Sequence, residues 1–291
     1  MSNVVYVAIP YSHEDDEIMQ RRFEFVTAYS ADIASEDTVP FSPITHSHLM
    51  AEKRDLPRTW DFWEEQDIPF LDMADELRVL DARGVSNSTG VQAETDYFDG
   101  RPEFIDPLKT PTCHIIGVSG KKRSGKDVLG RYLTDTHGYE QYAFADAIKS
   151  AAKEIFLLSD EQLDGDKKEE VDPYWQKTPR QILQAFGTDA FRQEFGQDVW
   201  VRNTLERMRL RLPQRAVITD VRFPNEVEAI QNVGGRVIRV DASERLDQSD
   251  EHSSETALDD YEGFDVRIEN NGTLAEYKRK IQSVCNTLLQ V

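Results

Sequence analysis

Cysteine is nearly absent. Cys113 and Cys285 are the two in 291 residues, far apart and without metal-ligand spacing around either. That excludes a disulfide framework and a cysteine-type zinc site, and it fits a reducing cytoplasm. Long apolar runs are missing as well, none approaching the ~18 residues that a membrane span needs. Residues 1–11 carry no basic segment, so no secretory leader is expected. Basic charge is scarce: 34 Lys and Arg stand against 54 Asp and Glu, a formal net charge of −20. Duplex binding rests on neutralising phosphates with Lys and Arg, so neither a nucleic-acid polymer nor a membrane is expected as a partner.

What is present suffices to build cores, with 39% hydrophobic and 10% aromatic residues, and this excludes wholesale disorder. At roughly 150 residues per domain the length suggests two. The charge is uneven: residues 1–112 hold 9 basic and 23 acidic side chains, residues 113–291 hold 25 and 31. The change falls in the proline-bearing stretch Asp106-Pro107-Leu108-Lys109-Thr110-Pro111-Thr112. Domains at 1–108 and 113–291, with a linker at 109–112, are expected.

In the first domain, Val4-Val5-Tyr6-Val7-Ala8-Ile9 reads as a buried strand ended by Pro10. Residues 14–35 read as an amphipathic helix, Val39-Pro40-Phe41 as a strand and 59–73 as a helix. Residues 77–80 read as a strand, and 91–98 as a helix entered through Ser88-Thr89-Gly90. Strand–helix alternation predicts a small Rossmann-like α/β domain with a parallel sheet, whose ligand site lies at the strand carboxyl ends. Tyr11, Ser12 and the turn at 88–90 stand there. Asp67, Asp75 and Glu94 are the acids near predicted element ends, with Glu94 expected in the first turn of its helix. In a domain this acidic, such residues are ordinarily solvated helix faces.

Tyr6, the run Glu65-Gln66-Asp67 followed by Ala74-Asp75, and Ser88-x-Gly90-Val91-x-x-Glu94 together resemble the nucleoside 2-deoxyribosyltransferase-like superfamily over about residues 4–106. The resemblance implies that Glu94 attacks the anomeric carbon, Asp67 assists departure of the base and Tyr6 orients the nucleophile. Such chemistry suits an oxocarbenium-like transition state, which needs a carboxylate on one face and a proton source for the leaving base. Ser88, where transferases acting on free nucleosides carry an acid, resembles the branch that hydrolyses 2′-deoxynucleoside 5′-monophosphates. There a hydroxyl accepts a phosphate that an acid would repel. Ser88, Gly90 and Ser12 are the expected substrate contacts, and His46 and His48 are candidates for the same pocket. The turn Ile9-Pro10-Tyr11-Ser12 departs from that branch's small-residue loop. A transferase on free nucleosides, and a non-catalytic nucleotide-binding or oligomerisation module, stay open as alternatives. The superfamily's shared sites imply at least a dimer.

In the second domain, the strand at 113–119 leads into Gly120-Lys121-Lys122-Arg123-Ser124-Gly125-Lys126-Asp127 and a helix through 128–133. Strand, G-x(4)-G-K and helix make a P-loop, whose N–H groups wrap phosphate while Lys126 bridges the β- and γ-phosphates. Gly120, Lys122, Arg123, Ser124, Gly125, Lys126 and Asp127 are therefore the expected ATP contacts. Asp127 replaces the usual Ser/Thr at the Mg2+ position. The ordered blocks that follow begin with Phe144-Ala145-Asp146-Ala147-Ile148-Lys149, Thr178-Pro179-Arg180-Gln181 and Gly187-Thr188-Asp189 with Arg192. They end with Val217-Ile218-Thr219-Asp220-Val221-Arg222-Phe223-Pro224, His252-Ser253-Ser254-Glu255 and Asn270-Asn271-Gly272. Together they resemble the bacteriophage deoxynucleoside monophosphate kinase family, which implies a P-loop kinase domain using ATP and Mg2+ on small deoxynucleotides. Asp220, after a buried β-branched strand, stands where a Walker B acid positions Mg2+ with Asp127. Arg180, Arg192 and Arg222 are candidate phosphate clamps. Asp146, Lys149 and Asp189 are candidate substrate contacts. Residues 241–256 suit a lid bringing Arg245 and His252 to the phosphates. Arg207, Arg209, Arg211 and Arg215 read as a solvated face. The expectation is a bifunctional nucleotide enzyme of the cytoplasm, that of the infected host if the chain is viral.

Overall fold

The computed structural model describes residues 2–242 and 256–289, the side chains of Thr188 and Asp189 excepted. The chain forms two compact units, residues 1–114 with 206–215, and residues 115–205 with 216–291. Both are α/β.

The first unit runs β1 (Asn3–Ala8), α1 (Asp16–Ile33), β2 (Thr38–Phe41), α2 (Pro43–Arg54), α3 (Trp60–Leu71), β3 (Glu76–Leu80), α4 (Thr89–Tyr97) and β4 (Glu103–Ile105). Its sheet has the order β2-β1-β3-β4, and every pairing is parallel. Central β1 is buried on both faces, and so its sequence is a near-continuous apolar run rather than an alternating one. Pro40, which has no N–H to give a ladder, sits on the edge strand β2 opposite Val5. Tyr6, Ala8, Leu77 and Val79 pack with Leu71 and Val91 into the core. The order changes direction between β1 and β3, and the crevice beyond their carboxyl ends is where such sheets bind ligands. Within this unit Arg209 forms a two-point ion pair with Asp106, at 3.1 and 2.7 Å, and so is not part of a solvated face.

The second unit runs β5 (His114–Gly120), α5 (Lys126–His137), β6 (Glu140–Tyr142), α6 (Asp146–Phe156), α7 (Asp160–Leu163), α8 (Pro179–Gln184) and α9 (Arg192–Phe195). It continues through α10 (Val199–Arg211), β7 (Arg215–Val221), α11 (Pro224–Asn232), β8 (Arg236–Asp241), β9 (Val266–Glu269) and α12 (Leu274–Leu288). The sheet order is β6-β7-β5-β8-β9, with parallel pairing of β6 to β7, β5 to β8 and β8 to β9. Ile116, Val118, Val217, Ile238 and Val240 face Leu129, Leu133, Tyr277 and Ile281 in the main core. Ala152, Leu158, Leu163 and Ile182 form a satellite core among the short helices. That helical layer carries Lys149, Arg180 and a one-turn segment, Asp166–Glu169.

Candidate functional site

In the first unit, the loops that follow β1 and β3 are tied together by Arg22 of α1. Its Nη1 donates to the carbonyls of Tyr11 (3.2 Å) and Ser12 (3.0 Å), and its Nη2 to the carbonyl of Arg83 (2.9 Å). Arg22 is 3% exposed, and burial draws its pKa down to about 10, still charged at neutral pH. The two loops frame a cavity of about 720 Å³ whose walls include Tyr11, Ser12, His48, Asp67, Ser88, Gly90 and Glu94.

Three residues singled out in the sequence meet here from three elements. Tyr6 on β1 donates its hydroxyl proton to Glu94 Oε1 on α4 at 2.7 Å. Glu94 and Asp67 are each 5% exposed, and Asp67 Oδ1 has no hydrogen-bond partner among the described residues. Burial pushes Glu94 up to about 8, with the Asp67 charge adding and the Tyr6 hydrogen bond opposing. Burial alone pushes Asp67 up to about 7. Tyr6 is driven far above the usual phenol range by burial and by the two acids. These acids are not a solvated face, and their raised pKa values are what burial without a cationic partner produces. Glu94 lies in the second turn of α4, not the first, because the helix starts at Thr89 with Ser88 as its N-cap. Ser88 Oγ accepts the Val91 N–H at 3.4 Å, and Gly90 leaves the helix entrance open to the cavity.

The two candidate histidines part company. His48 lines the cavity, joined through Nδ1 to the Tyr11 hydroxyl at 2.6 Å and stacked on Phe23 at 4.0 Å. His46 instead packs edgewise near Phe41 and Phe70, whose rings stack at 4.0 Å, and is not among the lining residues. Ser12 lines the cavity and donates to the Arg58 carbonyl at 3.1 Å. The sequence reading missed Arg22, Arg58, Arg83, Trp60 and Trp63, all cavity-lining. Trp60 and Trp63 carried a usable signal: at three and four residues' spacing, 60, 63 and 67 share one face of α3.

In the second unit, the loop after β5 turns through left-handed backbone at Arg123 (φ 64°) and Gly125 (φ 103°). A Cβ at Gly125 would stand 2.5 Å from Asn270 Nδ2, so glycine is required there. Asn270, at the end of β9, donates to the Ser124 carbonyl at 2.7 Å, and the Tyr277 hydroxyl on α12 donates to the Gly125 carbonyl at 3.1 Å. The C-terminal elements thus hold the loop in shape. Lys126 and Asp127 open α5 and line a cavity of about 330 Å³ with Asp146, Lys149, Arg180, Arg192, Asp220 and Arg222. Gly120, Lys122, Arg123, Ser124 and Gly125 are not among its lining residues. Lys122 pairs with Glu169 at 3.0 Å.

Asp220 accepts the N–H groups of Phe144 (2.8 Å) and Ala145 (2.9 Å), one on each oxygen. Burial raises its pKa against those two donors and Arg222. Asp146 accepts the Ala143 N–H at 3.0 Å, and Lys149 pairs with Asp164 at 2.6 Å. Arg192, expected as a substrate clamp, lines the cavity but is already engaged. Its Nη2 meets Glu226 at 2.6 Å in a buried pair, its Nη1 donates to the Gln197 carbonyl, and its guanidinium lies 4.1 Å over the Phe223 ring. A buried carboxylate without a counter-ion would be costly, so Arg192 is held in the wall to serve Glu226. The Asp189 side chain, His252 and Arg245 lie outside the described residues, as does most of the expected lid. Lys168 lines the cavity and was missed, because a lysine in Asp166-Lys167-Lys168-Glu169 reads as solvated charge.

Among the described residues no group of three or more His, Cys, Asp or Glu could hold a metal. Asp127 and Asp220 are two carboxylates lining the same cavity. Mg2+ characteristically takes one or two carboxylates and fills its shell with waters and substrate phosphates. The donor set therefore fits a Mg2+ that arrives with nucleotide. Among the described residues no helix is long and apolar enough to cross a membrane.

Residues 114–173 and 167–281 match the family profile "Deoxynucleotide monophosphate kinase", and residues 3–105 match "Domain of unknown function (DUF1937)". A protein of Acanthamoeba polyphaga mimivirus, provisionally named a deoxynucleotide monophosphate kinase, is 35% identical over 195 residues, covering 61% of this chain and 98% of its own length. An uncharacterised protein of Ictalurid herpesvirus 1 (strain Auburn) is 33% identical over 215 residues, 71% of this chain and 86% of its own. Dephospho-CoA kinase from Campylobacter jejuni aligns over 61% of this chain and 96% of its own, at 16% identity and a TM-score of 0.34. The deoxyribosyltransferase-like resemblance of the first unit rests on its own residues.

Proposed function

The chain belongs to the deoxynucleotide monophosphate kinase family, and on that premise we propose that residues 113–291 phosphorylate a deoxynucleoside monophosphate with ATP while residues 1–108, joined through 109–112, cleave the glycosidic bond of one. In the kinase step an oxygen of the acceptor phosphate attacks the γ-phosphorus. The bond from that phosphorus to the β–γ bridging oxygen breaks, and ADP leaves with the electron pair. Lys126 and the N–H groups at the start of α5 neutralise the β- and γ-phosphates. Arg180 and Arg222 face the acceptor and transferring phosphates, and Asp146 and Lys149 the rest of the substrate. Asp127 and Asp220 would hold Mg2+, which supplies charge neutralisation on the phosphates. Lys126, Asp127, Asp220 and Arg222 on one cavity support this reading.

In the first unit Glu94 bonds to C1′ as the C1′–N bond breaks, and the base leaves with the electron pair and a proton from Asp67. Water then attacks C1′, releases the ester to Glu94 and returns a proton to Asp67. Free base and deoxyribose 5-phosphate result. The observation that carries this is the Tyr6–Glu94 hydrogen bond beside buried Asp67 in one cavity. Incubating each deoxynucleoside monophosphate without ATP should release base, and Glu94→Ala should abolish release while leaving kinase activity intact. No release, with Glu94→Ala indistinguishable from the parent, would make the domain a non-catalytic module. Exchange onto an added base would make it a transferase.

A further inference from the structure

The cavity of the second unit is crowded with basic side chains, and most of them are engaged. Lys149 is paired with Asp164, Arg180 with Glu169 at 2.9 Å, and Arg192 with Glu226. Lys168 is different. It lines the same cavity from the Asp166–Glu169 turn and is half-buried, and among the described residues it has no hydrogen-bond or ion-pair partner. The charges that face it are Lys149 from α6, Arg180 from α8 and Arg222 from the end of β7, with Asp164, already paired, as the opposing one. Burial and those like charges hold its ammonium below the ordinary lysine range.

A half-buried ammonium among like charges destabilises the empty protein and is stabilised when an anion enters. We propose that Lys168 binds the phosphate of the acceptor deoxynucleoside monophosphate, forming with Arg180 and Arg222 a cradle of three cations on the acceptor side. The inference rests on the kinase reading. A phosphate dianion matches the excess charge, and the neighbours of Lys168 point to the acceptor rather than to ATP.

The test is steady-state phosphorylation by the full chain carrying Lys168→Gln or Lys168→Arg. Lys168→Gln should raise the acceptor KM about tenfold, one charge-assisted contact, with the ATP KM unchanged. Lys168→Arg should restore most of it. Parent kcat/KM for the acceptor should fall as pH rises through the lowered lysine range, since the deprotonated amine attracts no phosphate, and Lys168→Arg should lack that limb. Without nucleotide, Lys168→Gln should melt no lower than the parent, because it removes a repelled charge. An unchanged acceptor KM, a rise confined to the ATP KM, or a lower melting temperature with both KM values intact would each overturn the assignment of Lys168. A parent chain that phosphorylates no deoxynucleoside monophosphate would overturn the kinase reading instead.

Discussion

Glu94 and Asp67 line one cavity and are both buried, and two carboxylates there cannot both ionise cheaply. Burial lifts them to about 8 and about 7, and the Asp67 charge adds to the rise at Glu94. The pair therefore titrates as a unit, and around neutrality it holds one proton. The competent form, with Glu94 ionised and Asp67 protonated, is the minor arrangement of that proton, because Glu94 at about 8 lies above Asp67 at about 7 even though the Tyr6 hydroxyl donates to Glu94. Base release should follow a bell centred between pH about 7 and about 8. Below that window both acids are protonated and Glu94 cannot attack; above it both are ionised and the base finds no proton. Asp67→Asn should slow release by about 10²–10⁴-fold, the usual worth of a general acid, and remove the alkaline limb, because the group whose ionisation closes the bell is gone. Initial rates of base release between pH 5.5 and 9.5, an interval spanning about one and a half units beyond each pKa, check this. A flat profile would contradict it.

Secondary structure carries the loop chemistry. On the proposed reading the loop after β5 would cradle phosphate with backbone groups, so its shape matters more than its side chains, and Asn270 and Tyr277 brace that shape from β9 and α12. Asn270→Ala should leave the buried Ser124 carbonyl unpaired, at a cost of about 1–3 kcal/mol. It should raise the ATP KM and lower the melting temperature, while base release by the first unit stays unchanged; an unaltered ATP KM would show that the loop keeps its shape alone. Asn270-Asn271-Gly272 was legible as one of the blocks carrying the kinase resemblance, but the bond from Asn270 to the Ser124 carbonyl was not, because the two residues lie far apart in the chain. Strands and the P-loop were legible because apolar runs and G-x(4)-G-K are local patterns. α2 was not, since Pro43-Ile44-Thr45-His46-Ser47-His48 has no clear helical period, and its helix rests on proline at the first position and on packing. Tyr6, Asp67 and Glu94 were legible as a spaced set. The arginines that pin and rim their cavity were not, because an arginine in the second turn of an acidic helix, as Arg22 is, reads as solvent-facing until the loops it binds are seen.

Two catalytic units that consume the same class of substrate would compete within one chain if their preferences coincided. Each molecule cleaved is one lost to phosphorylation, and uniform selectivity would make the kinase fight its own partner domain. Fusion is productive when the two preferences diverge, so that one deoxynucleoside monophosphate is destroyed and another is passed on to the diphosphate. The distribution of charge is consistent with two different tasks: the more acidic domain places unpaired carboxylates in its cavity, while the milder one lines its cavity with lysine and arginine. We expect the ranking of natural and base-modified deoxynucleoside monophosphates by kcat/KM for base release to run opposite to their ranking for phosphorylation. Both rankings come from one panel, scored for free base without ATP and for diphosphate with it. Glu94→Ala and Lys126→Ala should each abolish one ranking and leave the other in place. The same order of preference at both sites would refute sorting, and would leave the fusion explained by co-expression alone.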